Sequence, residues 1–146
     1  MSDLNIIINL LVAFILGAVI GWLREMEGKT AGLRTHILVC VGSALFMMLS
    51  GEMLLKSGLA DPGRIAAGVV TGIGFIGAGC IVQARGAVRG ITTAASIWVT
   101  AAIGVASGTG FYVGAVAATI IALITIYFLR IIEKRIIKTK EKEEEE

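Results

Sequence analysis

The sequence predicts an all-α integral membrane protein with five transmembrane helices, and three observations carry that prediction. Of 146 residues, 56% are hydrophobic and only 16% are charged, with a mean hydropathy of +0.88, whereas soluble domains run near 45–50% apolar and about 25% charged. Five apolar runs approach the ~20 residues that span a ~30 Å hydrocarbon core. Lys and Arg fall heavily on alternate connections between those runs. A soluble enzyme is excluded by the same composition. So is a nucleic-acid partner, because 13 basic against 11 acidic residues leave a net charge of +2 and no broad basic face.

The first run, Leu4 to Leu23, follows Met1-Ser2-Asp3. That start has no basic n-region, and no small-residue cleavage site follows the run, so it is expected to stay in the membrane. The second run is Ile37 to Leu55, the third Ile65 to Val82, the fourth Ile91 to Ser107 and the fifth Phe111 to Leu129. Residues 1–130 are thus expected to form one five-span domain, with a charged cytoplasmic tail over 131–146 and no soluble C-terminal domain. The tail's last residues, Glu143 to Glu146, suit a solvated end.

Orientation follows from charge. The connection after span one carries Arg24, Lys29 and Arg34, the one after span three Arg85 and Arg89, and the tail six further Lys and Arg, eleven on one side. The other side has Lys56 and Arg64. The positive-inside rule therefore puts the N-terminus outside and the C-terminus in the cytoplasm.

Helices in lipid associate through close backbone approach and polar contacts, and residues at every fourth position mark such a face. Span one shows Asn5, Asn9, Ala13, Gly17 and Gly21. Span four shows Thr92, Ser96, Thr100, Gly104 and Gly108, and span five opens with Gly110, Gly114, Ala118 and Ala122. Span three holds Gly68, Gly72, Gly74, Gly77 and Gly79. These stripes suit either tight helix packing or the lining of a narrow polar path. Gly72-Ile73-Gly74-Phe75-Ile76-Gly77 also matches the dinucleotide fingerprint, but that motif needs a preceding strand and an acid some 20 residues on. No Asp or Glu occurs between Asp61 and Glu133.

A repeat is visible at an offset of 58 residues: Gly21, Gly28, Gly32 and Thr35 fall over Gly79, Gly86, Gly90 and Thr93. It suggests two parallel helical hairpins plus a fifth helix.

Catalysis needs a constellation of groups, and one histidine, His36, with Cys40 and Cys80 in apolar runs gives no recognisable triad or zinc spacing. Glu52, the one acid inside a span, is placed to meet Lys56 or Arg64. No enzyme activity, cofactor or metal is expected. The connection Arg24 to His36 is richer. Spans two and four both begin on this side, so their free N–H groups face the same interface as nearby cations. Arg24, Glu25, Arg34, Thr35, His36, Arg89, Thr92 and Thr93 are the candidates for a cytoplasmic site that takes an anion or a partner's carboxylate, with Thr35 and Thr92 or Thr93 as helix caps. Contact with lipid phosphates is the competing account.

The motifs have a family look. Gly21 with Arg24-Glu25, Ala31-Gly32-Leu33-Arg34-Thr35-His36 and Gly42, then Arg64 and Val69 through Gly79, then Arg89-Gly90-Ile91-Thr92-Thr93-Ala94-Ala95 with Trp98 and Gly104, occur in an order that resembles the N-terminal membrane domain of the bacterial MgtC/SapB family. Leu23 stands where members commonly have Glu, and Gly68 where they have Gln. The resemblance implies a cytoplasmic-membrane protein linked to growth at low magnesium. It also implies that some relatives act in virulence by restraining the F-type ATP synthase. Three function classes follow: a regulator that docks by its helices on another membrane complex or on itself, favouring a homodimer in the bilayer; a small oligomeric ion or solute transporter; and, a distant third for want of an acid, base and nucleophile set, a membrane enzyme.

Overall fold

Capping chemistry sets where the helices begin and end. In the computed structural model, residues 2–58, 61–84 and 86–129 are described. Ser2 caps α1 (Asp3–Met26), its hydroxyl accepting the Asn5 N–H at 3.3 Å, and Asp3 sits favourably in the first turn. Gly28, at φ +63°, turns the chain into α2 (Leu33–Ser57). That helix stops at Gly58, which donates its N–H to the Leu54 carbonyl from the left-handed region. Asp61 then caps α3 (Pro62–Gly79) by accepting the Gly63 N–H at 2.8 Å, with proline at the start, where its missing N–H costs nothing.

Beyond α3 the chain forms a short antiparallel hairpin, β1 (Val82–Ala84) paired with β2 (Ala87–Arg89), around a turn containing Gly86 at φ +79°. The third helix therefore ends three residues before Val82, which the apolar run had included. Hydropathy does not distinguish a helical from an extended valine, and the pairing of Val82 with Arg89 settles it. Next come α4 (Ile91–Gly108) and, after a turn at Gly110, α5 (Tyr112–Leu123). The latter continues as a π-helical segment, Ile124–Phe128. The 131–146 tail and Arg85 lie outside the described residues.

The helices pack as two hairpins. α2 and α4 form the central pair, α1 lies against both, α3 packs on α4 and more lightly on α2, and α5 covers α4 and α1. α2 and α4 start 58 residues apart, Gly32 and Gly90 are their N-caps, and Gly28 and Gly86 both have positive φ. The sequence repeat thus coincides with the starts of the two helices, although Gly32 at φ −110° and Gly90 at φ +92° differ in conformation. The core is made largely of small side chains, with Ala13, Cys40, Ala44 and Ala115 buried beside Ile20 and Ile103 between α1, α2, α4 and α5. Large apolar side chains face outward instead: Phe75 is 85% exposed and Val113 80%. α1, α2 and α4 are each long and apolar enough to cross a membrane, whereas α3 and the α5 segment are shorter apolar helices.

Candidate functional site

Polar groups inside this bundle gather at the end where α1 and α3 finish and α2 and α4 begin. Arg24, in the last turn of α1, is 2% exposed and donates from Nη2 to the Thr93 hydroxyl of α4 at 2.6 Å. Glu27, one turn on, lies 3.7 Å from Nη1. A buried guanidinium is tolerated only when it is paired and hydrogen-bonded, and these groups supply part of that. Glu25 does different work. Its Oε2 accepts the Leu33 N–H at 2.7 Å, capping α2 from the preceding helix. Gly32 permits this, because a Cβ there would sit 2.6 Å from the same carboxylate oxygen.

Thr35 and Thr92 or Thr93 are not the caps the sequence suggested. α2 starts at Leu33 because Glu25 meets the first free N–H, which leaves Thr35 inside the helix. α4 starts at Ile91 behind Gly90, at φ +92°, with no side-chain cap, and the Thr93 hydroxyl is turned to Arg24. A Cβ on Gly90 would strike the Cys80 carbonyl, a second reason for glycine there. Arg34 is exposed on the α2 side of this end.

His36 is fully buried between α2 and α4. Its Nδ1 lies 2.8 Å from the Gly32 carbonyl, which can only accept, so the proton sits on Nδ1. Nε2 is 3.1 Å from the Ser96 hydroxyl, which is also 2.8 Å from the Thr93 carbonyl. One hydroxyl proton therefore faces two acceptors. The line Arg24–Thr93–Ser96–His36 ties the ends of both hairpins together.

Further along, the buried hydroxyls turn back on their own helices. Thr100 donates to the Ser96 carbonyl, Ser107 to Ile103 and Thr119 to Ala115, each at 2.8 Å. At the opposite end, Asn9 of α1 donates to the Gly108 carbonyl at 3.1 Å and accepts from the Tyr112 hydroxyl at 2.5 Å. Asn5 is exposed and shares a 440 Å³ pocket with Asn9 and Tyr112. Glu52 pairs with Lys56 at 3.3 Å and not with Arg64.

The glycines divide into two groups. A Cβ on Gly17 would meet Cys40 Cβ at 2.8 Å, and one on Gly21 would meet Leu33 Cα at 2.8 Å. Gly104 and Gly108 lie on the Cys40 and Ala44 backbone carbonyls. Gly77 is in ordinary contact with Ala94 at 3.5 Å. A Cβ on Gly72, Gly74 or Gly79 would meet nothing within 4 Å, and one on Gly114 would strike the ring of Phe111 at the foot of its own helix. Glycine spacing identifies a face that can be approached closely but not whether this chain supplies the neighbour.

A cavity of about 970 Å³ sits beside the buried arginine, lined by Arg24, Glu27, Lys29, Arg89, Thr92 and Thr93 among others, with Ile126 and Leu129 closing one side. Sequence reasoning had placed neither Glu27 nor Lys29 here. The spacing of Arg24 and Glu27, one turn apart, was an available signal for the first. Among the described residues, no three His, Cys, Asp or Glu side chains converge as a metal site would require.

Long apolar helices, large apolar side chains that face outward and polar groups buried in the interior mark a helical membrane protein. More particularly, the chain belongs to the MgtC family, whose model matches residues 10–135. It is 48% identical to the "Putative magnesium transporter YhiD" of Escherichia coli K12, over 82% of this chain and 58% of that protein. It is 47% identical to the protein MgtC of Salmonella typhimurium LT2, over 89% of this chain and 54% of that one. The MgtC of Brucella abortus is 45% identical, over 81% of this chain and 48% of its own length. The chain thus spans about half the length of these relatives. No solved structure matches it.

Proposed function

We propose that this protein serves magnesium homeostasis in the bacterial cytoplasmic membrane as a non-catalytic regulator that docks on another membrane complex. All five helices cross the bilayer in this reading, with the N-terminus outside and the arginine-bearing bends in the cytoplasm. The observation that carries it is the open face of α3. Gly68, Gly72 and Gly79, spaced four and seven apart, have nothing within 4 Å of a Cβ. Gly68 and Gly72 also line a 590 Å³ groove with Phe46, Val69 and Ile76. In lipid, where apolar burial gives no drive, such a surface is what lets another helix come close. The F-type ATP synthase, which the family resemblance implies for some relatives, is the first partner to examine. A homodimer in the bilayer is the oligomeric state the reading favours.

The test is growth at low magnesium in a strain lacking its own relative, complemented by wild type and by Gly72→Leu. The expected outcome is that Gly72→Leu accumulates normally in the membrane, fails to support growth and no longer lowers proton-driven ATP synthesis in vesicles. Full growth support from this variant would refute docking through α3. A second reading, transport of an ion or solute, is favoured by the buried line of hydroxyls and by the transporter name of one relative. Those hydroxyls are 0–3% exposed and bonded to their own helices, so within one subunit they support packing over conduction. Magnesium flux into liposomes holding the pure protein would reverse that preference.

A further inference from the structure

The cavity at the end of α1 has a chemistry that helix docking does not use. Three cations line it from three parts of the chain: Arg24 from the last turn of α1, Lys29 from the connection and Arg89 from β2. Among the described residues Glu27 is the one carboxylate in the lining, so they give the wall an excess of two positive charges. Arg24 is held in place by Thr93 at 2.6 Å and by Glu27 at 3.7 Å. Its position is therefore fixed before anything enters. The other two cations have no ion pair among the described residues; Lys29 is half-buried and Arg89 exposed.

We infer that this cavity binds a phosphate group. A phosphate oxyanion offers oxygens in several directions and can be met at once by a guanidinium fork and an ammonium arriving from different elements. A planar carboxylate presents two oxygens in one plane and uses such an arrangement less fully. The Thr92 side chain, in the uncapped first turn of α4, adds a hydroxyl to the lining. On the other side the wall is apolar, with Val88 51% and Ile91 59% exposed. That surface suits acyl chains, so the phosphate can come from an anionic phospholipid headgroup or from free phosphate in the water. The inference is independent of docking through α3, whose groove shares no lining residue with this cavity.

Calorimetric titration of the full chain in non-ionic detergent distinguishes the sources. The probes are inorganic phosphate, dioctanoyl phosphatidylglycerol and, as the phosphate-free comparison, dioctanoylglycerol. Saturable binding of a phosphate-bearing probe at one per chain is expected, with none for dioctanoylglycerol. Binding of phosphatidylglycerol that inorganic phosphate cannot displace assigns the site to lipid; binding of inorganic phosphate by itself assigns it to the soluble ion. Lys29→Gln and Arg89→Gln should each weaken binding about tenfold, the scale of one charge-assisted contact. Arg34→Gln removes an exposed cation that does not line the cavity and should leave affinity unchanged. The inference fails if neither phosphate probe saturates or if dioctanoylglycerol binds equally well. It also fails if both cavity variants keep wild-type affinity, or if Arg34→Gln weakens binding as much as Arg89→Gln, since attraction would then be diffuse.

Discussion

Replacing Gly17 by alanine tests the packing of α1 on α2 by a single methyl group. That methyl would lie 2.8 Å from Cys40 Cβ, 2.9 Å from the His36 carbonyl oxygen and 3.2 Å from Ile37 Cα, where ordinary contact begins at 3.4 Å. Two of the three neighbours are backbone atoms and cannot swing aside. The helices must therefore separate by roughly half an ångström along their contact, an overpacking that costs about 1–3 kcal/mol. Alanine returns about 0.5–1 kcal/mol by stiffening the unfolded chain and favouring helix. Gly72→Ala receives the same return with nothing within 4 Å to oppose it. Reversible unfolding in mixed SDS micelles should make Gly17→Ala less stable than wild type by about 1–2 kcal/mol and Gly72→Ala slightly more stable. If the two variants shift the midpoint equally and in the same direction, the account of the α1–α2 contact is wrong.

Other outcomes follow from single contacts. Glu25→Ala removes the carboxylate that caps α2 and should cost about 0.5–2 kcal/mol in the same unfolding assay, with Glu25→Gln costing less because an acceptor remains. Thr93→Val takes away the oxygen that Arg24 donates to. A loss of about 1.5–3 kcal/mol is expected, largely restored by Thr93→Ser, and equal stability of the valine and serine variants would contradict the role given to that bond. Tyr112→Phe deletes the hydroxyl that reaches Asn9; hydrogen-exchange protection at the start of α5 should fall, while the opposite end of the bundle is unaffected. Single cysteines at Gly28 and at Gly110, in a background lacking Cys40 and Cys80, should react with an impermeant thiol reagent from opposite faces of the membrane.

Much of the fold was legible because membrane helices announce themselves by long apolar runs, and the runs found α1, α2 and α4 to within four residues at each end. α1 and α2 start before the apolar stretch because Ser2 and Glu25 satisfy N–H groups outside it. The hairpin at Val82–Arg89 was missed for a physical reason, since three residues per strand give no periodicity to read. The site was half legible. Arg24, Arg89, Thr92 and Thr93 do come together around one cavity, whereas Arg34 and Thr35 do not line it. Adjacency in sequence could not separate them, because the start of a helix sends successive side chains in different directions. Nor could the stripes say which glycines have neighbours: Gly17 and Gly72 look alike until α2 is found beside one and open space beside the other.

The π-helical stretch at Ile124–Phe128 carries a consequence for how the last helix is aimed. Bonds that reach five residues back in place of four accommodate one residue more than an α-helical turn would hold. Leu129, the next residue, is thereby rotated by about 100° relative to an unbroken α-helix, the angular step of one residue. Deleting one amino acid from this stretch should let it relax into regular α-helix and would swing Leu129 away from the cavity it now borders. A one-residue deletion, ordinarily ruinous inside a helix, would here leave the bundle standing and alter which side chains guard its basic mouth.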